Sequence, residues 1–140
     1  APAPTAGTKA PRPSPRAAAS ESAGELLVAA REQAGRGKLA AAAATYERLL
    51  DAYPRSSEAH AALVSLGRVQ ASRGRHAAAL SAYSRYLDGG GGPLAEEAHF
   101  GRIGALDALG RGSDRDRAIE AFATAYPRSV YLGKARALGH

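Results

Sequence analysis

Cysteine, methionine and tryptophan are all missing from the 140 residues, and aromatic residues make up only 6% of them. Without cysteine there can be no disulfide framework, no thiolate metal site and no cysteine nucleophile. No apolar run approaches the roughly 18 residues that a membrane-spanning helix needs. The lack of methionine leads us to expect a removed leader or a longer parent chain. The opening Ala-Pro-Ala-Pro would suit a mature end after small-residue cleavage. Alanine supplies much of the 45% hydrophobic content. Alanine packs backbones closely but buries little area per residue. We therefore expect modest stability, spread along an elongated stack of helices.

Acidic residues are also absent before Glu21, whereas Lys9, Arg12 and Arg16 fall in that stretch. They account for three of the six net positive charges, leaving sixteen basic and thirteen acidic groups in the rest of the chain. That is a mixed-sign surface rather than a basic face, so a nucleic-acid partner is not expected. Five of the eight prolines lie in residues 1–19. Proline at this density blocks helices and sheet ladders, so residues 1–20 read as a disordered Pro/Ala-rich linker. Residues 21–140 read as one folded domain.

What is present from there on is helical periodicity. Ser22-x-x-Glu25 has capping-box spacing and predicts a helix start. Leu26, Ala29, Ala30 and Gln33 mark one face of that helix, and Gly35-Arg36-Gly37 ends it. A partner helix over Leu39–Tyr53 carries Leu39, Ala42, Ala43, Tyr46, Leu49, Leu50 and Tyr53 on one stripe and stops at Pro54. Ser56 or Ser57 caps a helix to about Arg73, Gly74 turns the chain, and another helix runs from about Arg75 to Asp88 with Ala79, Tyr83 and Leu87 inward. Gly89–Gly92 is then the most flexible point inside the domain. Pro93 suits the first position of the next helix, with Glu96 and Glu97 in its opening turns. No Gly-Lys-Ser/Thr follows the glycines, so they do not read as a phosphate cradle. Ser113-x-x-Asp116 predicts one more capped start, Pro127 ends that helix, and Ser129 caps a short last one.

These helix pairs are copies. Gly37, Ala42, Tyr46, Leu49 and Leu50 recur 37 residues later as Gly74, Ala79, Tyr83, Tyr86 and Leu87. Leu63, Leu66, Gly67 and Gln70 are matched at the same shift by Phe100, Ile103, Gly104 and Asp107. Ala52-Tyr53-Pro54-Arg55-Ser56 recurs 73 residues on as Ala125-Tyr126-Pro127-Arg128-Ser129.

The pattern resembles the tetratricopeptide repeat family, whose unit is 34 residues. Small residues at Ala42 and Ala79, the pairs Leu66-Gly67 and Ile103-Gly104, the aromatics Tyr46 and Tyr83, and the closing Pro54 and Pro127 carry the likeness. Ala29-Ala30 replaces leucine-glycine in the first unit, the third small position falls on or near Arg115, and the second unit ends in glycines. The resemblance implies an all-α, right-handed superhelix of about three helix pairs. Units would cover about 22–56, 57–92 and 93–128, with a capping helix at 129–138. The Tyr-Pro-x-Ser ends are similar to the variant in bacterial envelope proteins, the Tol-Pal-associated periplasmic coordinator and the outer-membrane assembly lipoprotein. They imply a periplasmic or otherwise extracytoplasmic location, with a cytoplasmic one as the alternative and membrane attachment only through an upstream anchor.

No catalytic pattern emerges. There is no His-Glu-x-x-His and no Gly-x-Ser-x-Gly, and no two histidines are four apart, so neither an enzyme, a metal nor a cofactor is expected. Glu96-Glu97-x-His99 reads as a charged helix start, and Asp114-Arg115-Asp116-Arg117 as a solvated one. In the family, first helices face a concave groove. That implies a partner-binding strip at Arg31, His60, Val64, Arg68 and Arg102, suited to a protein or acidic peptide. The Lys/Asn clamp of chaperone-binding relatives is absent, because arginine stands where asparagine is needed. The expected function is a non-catalytic protein–protein scaffold. Its alternative is a structural module that self-associates through the glycine-run edge and last helix.

Overall fold

A computed structural model describes residues 21–139. The expected linker at 1–20 and His140 lie outside the described residues. The described chain is all-α, with seven helices and no strand. They are α1 (Ala23–Gly35), α2 (Leu39–Ala52), α3 (Ser57–Ser72), α4 (His76–Asp88), α5 (Ala95–Ala108), α6 (Gly112–Ala125) and α7 (Leu132–Leu138). Consecutive helices pack as pairs, and α3 also touches α1 and α5, while α7 closes over α5 and α6.

The helix starts follow side-chain chemistry where a cap is available. Ser22 Oγ accepts the Glu25 N–H at 3.0 Å, and Glu25 Oε1 accepts the Ser22 N–H at 2.7 Å, so two otherwise orphaned donors are satisfied. Ser56 caps α3 by accepting the Ala59 N–H at 3.0 Å. The start expected at Ser113 forms differently. The N-cap of α6 is Arg111, with no side-chain cap bond, and its guanidinium instead grips Asp114. Similarly, α5 begins at Ala95 rather than Pro93, because Gly92 O first accepts the Ala95 N–H in a tight turn at 3.0 Å. Ser129 accepts the Tyr131 N–H at 3.1 Å, one turn ahead of α7.

The turns within the three pairs share one geometry. Gly37, Gly74 and Gly110 have φ of 76°, 76° and 72°, the left-handed region where a side chain is strained. Each donates its N–H three residues back, to Ala34, Ala71 and Asp107 respectively. The following N–H groups of Lys38, Arg75 and Arg111 bond Gln33, Gln70 and Leu106.

That equivalence corrects the spacing of the third unit. The first two turns are 37 residues apart and the last two 36. Burial agrees: Ala59, Ala62, Gly67, Val69 and Gln70 correspond at a shift of 36 to Ala95, Ala98, Ile103, Ala105 and Leu106, all buried. The matches expected at 37, Leu63 with Phe100 and Gly67 with Gly104, pair buried positions with half-buried ones. The third small position therefore falls on Arg115. It is tolerated there because its guanidinium reaches out to Asp107 at 2.8 Å and Asp116 at 2.9 Å.

The core runs along the stack. One cluster joins α1 to α5, a second joins α5 to α7, and Leu80 and Tyr126 pack against both. In α4 it is Tyr86, 1% exposed, that is fully buried, with Leu87 only flanking the core. The Tyr83 ring lies in a slot between Gly67 of α3 and Gly101 of α5, where a Cβ on either glycine would collide with it. Gly104 makes no such approach.

Candidate functional site

Arg31 of α1 and Arg68 of α3 open onto one hollow of about 490 Å³, with Ser65 and Ser72 on its wall and Tyr46 in its lining. Both arginines are exposed. Their positions match at a shift of 37, so adjacent copies of one helix face bring both side chains to one hollow. Arg68 Nε also reaches Glu97 Oε2 of α5 at 3.0 Å, whereas Arg31 has no ion-pair partner among the described residues. The Tyr83 hydroxyl, buried beneath this region, is pushed up to about 12. Burial is the main cause, opposed by the Arg68 charge and assisted by Glu97.

The other three expected site residues lie elsewhere, each for a physical reason. Val64 is 0% exposed and belongs to the core. The helix that carries it is packed by α1, α2, α4 and α5, which leaves little free face. His60 is half-buried and occupied. Its ring stacks on Tyr86 with centroids 4.3 Å apart, and its Nε2–H donates to the Gly91 carbonyl at 2.7 Å. Tyr86 in turn accepts the Leu94 N–H at 3.0 Å, so the glycine run expected to be the loosest point is tied at two places. Its backbone explains the glycines, since Gly90, Gly91 and Gly92 all have positive φ. Arg102 lines a different hollow, with Arg111, Asp114 and Arg117. At the true shift of 36 its counterpart is Leu66, not a residue of the Arg68 face.

His99 sits between Phe122 and Tyr126, with centroids 5.8 and 5.6 Å away. Burial holds its imidazole below the ordinary histidine value, and the Arg102 charge lowers it further. Among the described residues no group of three or more histidines and carboxylates is gathered to hold a metal ion. None of the described helices is long and apolar enough to cross a membrane. No family model matches the chain, and no curated protein matches it in sequence.

Proposed function

We propose that the three helix pairs form a right-handed superhelix of the tetratricopeptide type that serves as a non-catalytic scaffold for a protein partner. The recurrence of one turn geometry at Gly37, Gly74 and Gly110 supports the repeat reading. The observation that carries the function is the sharing of one hollow by Arg31 and Arg68. Two guanidiniums beside a partly apolar wall suit a segment bearing carboxylates, because each planar fork can donate two parallel bonds to one carboxylate. The partner is therefore an acidic peptide lying across α1 and α3, now without Val64, His60 or Arg102 among its contacts. The Tyr-Pro-Arg-Ser ends support a location outside the bacterial cytoplasm.

Fluorescence anisotropy with a panel of labelled glutamate- and aspartate-rich peptides tests this reading. Saturable binding should fall at least about tenfold in Arg31→Glu and in Arg68→Glu, the loss of one charge-assisted pair. Undiminished binding in both variants rules the hollow out. Self-association is the second reading, favoured by Val130, which is 86% exposed just ahead of α7. A dimer in light scattering that Val130→Ser dissolves would support it.

A further inference from the structure

Arg102, Arg111 and Arg117 meet around a second hollow of about 430 Å³ that shares no residue with the first. Leu106 and Ala118 give it an apolar floor. Asp114 stands among the three arginines. Arg111 donates through Nε and Nη2 to Asp114 Oδ2 at 2.9 and 2.7 Å, and Arg117 donates to Oδ1. Hydrogen bonding from Arg111 is the main reason the Asp114 carboxyl lies below its ordinary value, with the three arginine charges adding to it. Three cations thus meet one anion, a net of +2.

Two of the three cations are not repeated along the fold. One unit earlier, 36 residues before, Arg111 is matched by Arg75, but Leu66, Ala78 and Ser81 stand in place of Arg102, Asp114 and Arg117. That earlier hollow has Glu47 and Asp51 against Arg85, a net of −1. Helices of the same kind close around both, so packing alone does not explain why the later hollow is rich in arginine.

Asp114 uses both oxygens to orient Arg111 and Arg117, which removes side-chain freedom before any ligand arrives. The outward N–H groups of that pair remain available. So does the whole of Arg102, which has no ion-pair partner among the described residues. A carboxylate presents two oxygens in one plane. A phosphate monoester presents three acceptors in different directions and carries about −1.5 to −2 at neutral pH, which matches both the three-sided donor set and the charge. We propose that this hollow binds a phosphate monoester dianion on a small molecule, with Arg102, Arg111 and Arg117 as donors, Asp114 as a positioning residue and the apolar floor under the ester group. This site is independent of the peptide-binding hollow.

The test is an amide and arginine Nε nuclear magnetic resonance titration of the full chain at constant ionic strength, with inorganic phosphate, phenyl phosphate and malonate as probes. Phenyl phosphate should give saturable shifts in the first turn of α6 and at Arg102, with a dissociation constant of about 1 mM or tighter. Inorganic phosphate should bind the same residues more weakly. Arg102→Gln and Arg117→Gln should each weaken binding about tenfold, while Arg128→Gln, exposed and remote, should not. An unchanged melting temperature in the two site variants would exclude misfolding as the cause. Shifts that stay linear with concentration, or that saturate in Arg102→Gln at the same concentration as in the unaltered chain, would overturn the site. Malonate binding as tightly as phenyl phosphate would overturn the assignment to phosphate, and a phosphoserine peptide binding far more tightly would overturn the small-molecule source.

Discussion

The His99 imidazole fills a place between Phe122 and Tyr126 that an uncharged ring suits better than a cation. Because its folded value lies below the ordinary 6.5, the unfolded chain binds its proton first as the pH falls. Stability contributed by the neutral ring is therefore full above that value and is lost on acidification through it. We expect the urea midpoint to drop between pH 7.5 and 5.5, a window above the carboxylate range. His99→Phe keeps an uncharged ring there and should flatten the dependence. A slope unchanged in that variant would assign the effect to other histidines. The same scale governs the helix crossing at Ala79, which is 0% exposed. Leucine there should overpack the contact and cost about 1–3 kcal/mol in chemical denaturation.

Among the elements, α1 has the most explicit start signal, and Ser22→Ala should lower stability by about 1 kcal/mol through loss of the reciprocal cap. Thermal unfolding with Glu25 left in place would measure it. This helix was legible in the sequence because the cap is local, as were the turns at Gly37 and Gly74, where a positive φ demands glycine. The start of α6 was not, since Arg111 reaches Asp114 and leaves Ser113 without a capping role. The face of α5 was misread for a geometric reason. One residue turns a helix by roughly 100°, so counting 37 instead of 36 moved Arg102 from the counterpart of Leu66 to the neighbourhood of Arg68. Val64 was misread because periodicity finds one buried stripe, whereas a helix enclosed by four others has several. Of the expected strip, Arg31 and Arg68 are the two residues that line one hollow, because both are exposed at matching positions of neighbouring first helices.

Across the whole molecule, stability should be uneven. Among the described residues the stack ends at α1 and at the short α7, while α3, α4 and α5 have neighbours on both sides. The Tyr83 ring of α4 is gripped by glycines of α3 and α5, where no other residue type would leave room. A grip of that kind sets an order of events. Water enters such a chain from its ends inward, and the three helices around the ring open together or not at all. Hydrogen exchange should therefore find the amides of α1 and α7 first and those of α4 last. Gly101→Ala, by prising the slot apart, should bring the exchange of α4 close to that of the ends.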